Sequence, residues 1–329
     1  MEIDKKKRVV LAFKAYPFAI ASYYRRALER RNDIELFTIG EFYGQNIPWG
    51  SGMEIPMKYF NQVDLPLPTS LSTPSWEFLN PQLPWKPDLV FCVDAGFHLS
   101  NKPDVPYVVV GTDPHVLGDW YKTPRKNADI FYSMQTSYQE SADKFLPYAF
   151  DPWCHYPEQP PTILEKYLDG FGGVELIQHK PEREYDCSLI GLHYPHRDGW
   201  VSRLRAKGIT VNYRIGDIYD EYREENNKAW IGLNWSSLQD VTARVFEICA
   251  MKLVPVLNRL EGLDKLGFEE GRHYLGFSTM EEAVEKVLWA KNNRPFAEQI
   301  ALQAYNFVHE KDYTYDKNVR TILKDIGLL

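Results

Sequence analysis

The chain has 329 residues, a formal net charge of −7 and a pI near 5.7, with 44% hydrophobic and 25% charged residues. That length suits two domains of ordinary size, and the composition excludes wholesale disorder. The acidic balance argues against a general electrostatic grip on nucleic acid, although Lys122, Arg125 and Lys126 could still make a local basic groove.

The basic start "MEIDKKKRVVLAF" leads into a short apolar run at 9–13 that reads as a buried strand, not as a signal peptide. Residues 17–31 follow as a helix ending in "RRALERRN", and "IELFTIG" as a second strand. The stretch 44–87 is rich in Pro, Gly and Ser and reads as long, lid-like loops. Strands resume with "KPDLVFCVD", "VPYVVVGTD" and "ADIFYSMQ", and "FLPYAFDP" completes this half. Near-continuous apolar strands alternating with helices mark a parallel sheet covered on both faces.

Residues 155–183, Pro-rich at first and polar at the end, read as an interdomain segment between a domain at 1–154 and a second at 184–310. The second half repeats the alternation with "YDCSLIGL", the helix "RDGWVSRLRAKG", "ITVNYRIG", "AWIGLNW", a short helix and "LVPVLN". Ser278 and Glu281 are placed to form a capping box for "STMEEAVEKVLWAKNN". Helices at about 295–310 and 315–327 close the chain, the last within a closing segment at 311–329. Cys92, Cys154, Cys187 and Cys249 lie far apart without a C-x-x-C pair, so buried free thiols in a reducing compartment are expected. With no run long enough to span a membrane, the expected location is cytoplasmic. The 9 Trp, 21 Tyr and 17 Phe would suit a cleft that stacks on sugars or bases, beside their ordinary structural use.

The stretch "LQDVTARVFEICAMKLVPVLNR" at 238–259 carries the densest chemistry. Asp240 is placed to cap a helix whose apolar face is Val241, Val245, Ile248 and Cys249. Thr242 then lies at the positive end of the helix dipole, where free N–H groups attract phosphate, and Arg244 adds a bidentate cation. Glu247, one turn on and on the side away from the apolar stripe, could accept from the two vicinal hydroxyls of a ribose. An Arg244–Glu247 surface pair is the plainer alternative. In the first half, Asp113 and His115 of "GTDPH" follow a strand where open α/β sheets bind ligands, and a turn residue is again the plainer alternative. His193 and His196 lack a third metal ligand nearby, and no D-x-D occurs to hold a metal–diphosphate.

The run "DVTARVFEICAMKLVPVLNRLEGLDKLGFEEGRHYLGFSTMEEAVEKV" resembles the C-terminal half of GT-B glycosyltransferases of the group 1 family, nearest their CgeB-like, spore-protein-like branch. "YDCSLIGLHYPHRDGWVSRLRAKGITV", "KAWIGLNWS", "FLPYAFDP" and "VHEKDYTYDKNVRTIL" resemble the same family from about residue 85 onward. Two places depart from it: the first strand is followed by the glycine-free "FKAYPFAIAS", and Met251 and Lys252 stand where a small residue is usual.

The resemblance implies a GT-B fold, two Rossmann-like domains facing across a cleft with the C-terminal helix crossing back. It also implies metal-independent transfer of a sugar from a nucleotide diphosphate-sugar, such as a UDP-sugar, to an acceptor hydroxyl, with the donor as co-substrate and no other cofactor. Gly191, Arg197, Asn234, Thr242, Arg244 and Glu247 would then hold the donor, and Asp113 or His115 would serve the acceptor hydroxyl. The acceptor is open: a carbohydrate, a protein, a small molecule or a hydroxymethylated base in DNA. A non-catalytic binding or structural protein on the same scaffold is the further alternative.

Overall fold

The computed structural model describes residues 6–16, 19–42, 62–94, 96–158, 164–167, 174–177, 183–236 and 238–329. The first half is a seven-stranded parallel sheet built from β1 (Lys7–Ala15), β2 (Ile34–Phe42), β3 (Leu65–Leu67), β4 (Leu89–Asp94), β5 (Tyr107–Gly111), β6 (Ile130–Ser133) and β7 (Lys144–Phe145). Its strand order is β3-β2-β1-β4-β5-β6-β7, which brings the carboxyl ends of β1, β4 and β5 side by side. Helices α1 (Ala21–Glu29), α2 (Trp76–Leu79) and α3 (Lys122–Asn127) belong to this half.

Alternation along β1 shows why the sheet is buried on both sides. Val9, Leu11 and Phe13 pack on the same core as Tyr24, Ala27 and Leu28 of α1. Val10 and Ala12 point to the opposite core, with Trp76, Tyr107 and Tyr121.

An antiparallel hairpin, β8 (Leu164–Tyr167) and β9 (Val174–Ile177), follows the crossover. The second half is a five-stranded parallel sheet in the order β11-β10-β12-β13-β14: β10 (Tyr185–Gly191), β11 (Val211–Ile215), β12 (Ala229–Asn234), β13 (Val254–Asn258) and β14 (Leu275–Phe277). Its helices are α4 (Pro195–Ala206), α5 (Tyr219–Asn227), α6 (Ala243–Ala250), α7 (Glu261–Lys265), α8 (Met280–Asn292) and α9 (Arg294–Glu310).

The last helix, α10 (Tyr315–Asp325), returns to the first half. Tyr315, Val319, Ile322 and Leu323 join the α1 side of its core, and Arg30 Nε donates to Asp316 at 3.0 Å. Asn318 donates to the Pro147 carbonyl at 2.9 Å, and Tyr132 donates to Asp325 at 2.6 Å. A second tie joins the halves at the cleft. The Gln135 side chain donates to the Val241 carbonyl at 3.0 Å and accepts from the Val241 N–H at 3.2 Å.

Several sequence expectations need correction. Of the loops expected at 44–87, residues 44–61 lie outside the described residues, and the remainder includes β3 and α2. Pro66 fits β3 because that strand is at the sheet edge, and Ser75 caps α2 by accepting from Phe78 N–H. The segment 155–183 contains a hairpin that its polar composition did not suggest. Helix α5 carries no aliphatic stripe to mark it in the sequence, because its buried face is made of Tyr219, Tyr222, Arg223, Asn226 and Asn227. The cap of α8 is Thr279, which accepts from Glu282 N–H, while Glu282 accepts from Ser278 N–H; Glu281 instead pairs with Arg203. The four cysteines are free and buried. Two members of the basic run are paired with acidic neighbours, Lys122 with Asp119 and Arg125 with Glu140 and Asp143. Among the described residues no helix is long and apolar enough to cross a membrane.

Candidate functional site

The carboxyl ends of both sheets face one cavity of about 370 Å³. Lys14 near the end of β1, Tyr16 just after it, Val93 of β4, and Thr112 and Asp113 after β5 line it from the first half. Gly191 at the end of β10, Gly216 and Asp217 after β11, and Asp240, Thr242, Arg244 and Glu247 line it from the second. The strand ends of open α/β sheets are where such clefts form, because there the connections splay apart.

Helix α6 enters this cavity with its first turn. Its N-cap is Thr242, in extended conformation, and no side chain caps the turn. The expected cap, Asp240, is engaged elsewhere: its carboxylate accepts from Ser236 Oγ, and its own N–H donates to that oxygen at 3.0 Å. The Thr242 hydroxyl and Arg244 Nε are both buried without a hydrogen-bond partner. Buried donors are normally satisfied, so two orphans at one uncapped helix terminus point to an anionic ligand that completes them.

Arg197 of α4 strengthens the argument. It is 8% exposed, donates to the Leu192 carbonyl at 2.7 Å and lies over the Tyr194 ring at 5.0 Å. Burial and the nearby charge of Arg244 push its pKa down to about 9. Two guanidiniums thus share a partly dehydrated space, and an anion between them would relieve both costs. Gly191 makes room for them, since a Cβ there would lie 2.1 Å from Nη2 of Arg244.

Glu247 is not on a solvent face, as the sequence pattern suggested. It is 8% exposed, because α6 is buried nearly all round once the first half closes over it. Burial raises its pKa to about 7, against the lowering effects of Arg244 and Tyr222. A surface ion pair with Arg244 is therefore ruled out. His155 Nε2 lies 3.7 Å from its Oε1. His155 Nδ1 accepts from the Asp151 N–H at 3.1 Å, which leaves the proton of the neutral ring on Nε2, facing Glu247 and the Tyr23 hydroxyl. Burial and the charges of Arg26 and Arg223 hold His155 down to about 3, so it stays neutral.

The remaining sequence candidates separate. Asn234, at the end of β12, stands behind the cavity and accepts from Arg244 Nη1 at 3.4 Å, so it steers that guanidinium. Asp113 lines the cavity and accepts from the Thr112 hydroxyl at 2.9 Å. Its backbone carbonyl, not its carboxylate, accepts from Val116 and Leu117 N–H in the turn that follows. His115 is set back from the cavity, its ring 3.9 Å from Asp240. His193 pairs with Asp198 and His196 stacks near Tyr194 and Trp235, and among the described residues no three His, Cys, Asp or Glu side chains converge as a metal site. Sequence reading missed Tyr222, Tyr23, His155 and the cavity role of Asp240. Only the i, i+3 pair Tyr219 and Tyr222 carried a local signal.

A family model described as glycosyl transferase-like matches residues 174–324. No curated protein matches the chain. Among solved structures, HepE of Anabaena in complex with UDP and glucose is similar at TM-score 0.61 and 10% identity, over 98% of this chain and 100% of that one. Sucrose-phosphate synthase from Thermosynechococcus elongatus is similar at TM-score 0.58 and 11% identity, over 98% and 100% of the two chains. A UDP-N-acetylglucosamine 2-epimerase is similar at TM-score 0.54 and 10% identity, over 99% and 98%. The fold is GT-B. Such identities establish the architecture alone, so the chemistry rests on the cavity.

Proposed function

We propose that the protein is a glycosyltransferase that moves a sugar from a nucleoside diphosphate-sugar, taken here as a UDP-sugar, to an acceptor hydroxyl. The single observation that carries this reading is the uncapped first turn of α6, with the orphaned Thr242 hydroxyl and Arg244 Nε beside a second buried guanidinium, Arg197. The diphosphate would sit against that turn. The ribose would reach Glu247, whose carboxylate, once ionised, accepts hydrogen bonds from both ribose hydroxyls. UDP is favoured because HepE, on the same architecture, was solved with UDP and glucose bound. The glycosyl transferase-like match over the second half supports the same assignment, and the Arg-and-Glu helix supports the CgeB-like branch.

Bond breaking at the anomeric carbon places charge on the leaving diphosphate. Arg244, Arg197 and the α6 N-terminus are fixed before that charge develops, so they stabilise it without reorganising. In this reading they supply the positive charge, and the reaction needs no metal ion. Asp113, at the end of β5 in the opposite half, would take the acceptor proton as the hydroxyl attacks. The pairing of Lys122 and Arg125 with acidic neighbours weakens the case for a DNA acceptor.

The test is release of UDP from UDP-glucose, UDP-galactose and UDP-N-acetylglucosamine by the wild type and Arg244→Ala. Slow release by the wild type from at least one donor, abolished in the variant, is expected. No release together with tight UDP binding would make this a binding protein on a transferase scaffold.

A further inference from the structure

Asp240 has no part in capping α6 and none in holding the diphosphate, yet it lines the cavity with its side chain only 11% exposed. It is held there deliberately by its surroundings. Ser236 donates to one carboxylate oxygen, and His115 of the other half faces the second at 3.9 Å. The neighbouring residues are fixed as well. Val241 is clasped on both backbone groups by Gln135, and Gln239 adopts a φ of 59°, unusual for a residue with a side chain. Two residues after Asp240 comes Thr242, where the diphosphate would end. His115, across from it, is two residues after Asp113, where the acceptor hydroxyl would lie. The buried Tyr148 hydroxyl, which donates to the Thr112 carbonyl at 2.8 Å, feels the charges of both Asp113 and Asp240. What lies between a donor diphosphate and an attacking hydroxyl is the sugar being transferred.

We propose that Asp240, positioned by His115, reads that sugar, selecting a neutral sugar with free neighbouring hydroxyls and rejecting one that carries a carboxylate. The inference rests on the donor reading above and adds the class of sugar. A carboxylate accepts well from adjacent hydroxyls, and a uronate in the same place would meet two negative charges, Asp240 and Asp113, which both line the cavity. His115 acts through Asp240 and is a positioning residue.

The experiment is calorimetric titration of wild type, Asp240→Asn and His115→Gln with UDP, UDP-glucose, UDP-galactose, UDP-N-acetylglucosamine and UDP-glucuronate. For the wild type, the best neutral UDP-sugar should bind at least about tenfold tighter than UDP-glucuronate, the effect of one charged hydrogen-bonding group. In Asp240→Asn that ratio should collapse to within about threefold while UDP affinity stays within about twofold. His115→Gln should shift the ratio the same way by a smaller factor, and in a UDP-release assay with the same donors its KM for the sugar nucleotide should rise more than kcat falls. Equal binding of glucuronate and neutral donors by the wild type, an unchanged ratio in Asp240→Asn, or a fall in UDP affinity as large as the fall for UDP-sugars would each overturn the proposal. Failure of the wild type to bind UDP at all is a different result, because it removes the donor reading itself.

Discussion

A Cβ placed on Gly191 would lie 2.1 Å from Nη2 of Arg244, so that guanidinium rests directly on bare backbone at the end of β10. The same Cβ would lie 3.1 Å from Nη1 of Arg197. Gly191 therefore sets where both cations stand. Its φ of 150° adds a backbone geometry that side chains seldom adopt.

Gly191→Ala should keep the fold at a cost in stability of about 1–3 kcal/mol from that backbone geometry, because the atoms it crowds are the far ends of flexible side chains. It should weaken UDP by about 1–3 kcal/mol, the range for losing a hydrogen bond to a charged group. Titration of UDP and of uridine separates the effects, since uridine lacks the diphosphate. Equal weakening of both would show that Arg244 does not meet the phosphates.

Glu247 gives a pH signature with two opposite signs. Its folded pKa of about 7 exceeds the ordinary 4.5, so between those values the native state binds a proton more tightly than the unfolded chain. That contribution to stability is complete below the ordinary value and is lost as pH rises through about 7. Glu247→Gln, which cannot ionise, should gain stability against the wild type from about pH 5 to about pH 8, by up to about 3 kcal/mol. Urea unfolding at several pH values reads this. Uridine affinity, read in place of UDP because the terminal phosphate of UDP itself titrates near pH 6, should behave oppositely in the wild type, rising through pH 7 as the carboxylate that the ribose needs appears, and should be flat in the glutamine variant. A flat wild-type binding profile would remove Glu247 from the ribose site.

Asp113→Asn keeps a side-chain oxygen to accept from Thr112 but cannot take a proton. Turnover should fall by about 10² to 10⁴ with UDP affinity unchanged. Near-normal turnover would leave Asp113 a structural residue at the turn, and the base would have to be sought elsewhere.

Gln135→Ala removes both hydrogen bonds that clasp Val241 and leaves a buried N–H and carbonyl at the cleft. Thermal unfolding should show a loss of about 1–3 kcal/mol. An unchanged midpoint would mean that solvent or another group takes the place of the amide.

The longer strands of both sheets were legible because parallel strands buried on both faces are near-continuous apolar runs, as "YVVVG" and "DCSLIG" are, whereas the three-residue edge strands β3 and β14 are too short to show such a run. Helix α6 announced its polar residues, and the cavity gathers Thr242, Arg244 and Glu247 together. What the sequence hid was burial. Glu247 and Asp240 look solvated on a helical wheel, yet they are covered by residues more than ninety positions away, His155 and His115. Contacts across a domain cleft leave no periodic trace, and α5 shows the related problem of a buried face built from Tyr and Asn.

A crystal structure of the protein with UDP bound decides whether the first turn of α6 holds a nucleoside diphosphate. Diphosphate oxygens are expected within hydrogen-bond distance of Arg244 and the Thr242 hydroxyl, with both ribose hydroxyls on Glu247. UDP bound elsewhere, or lying in this cavity with its phosphates turned away from Arg244, would contradict that placement.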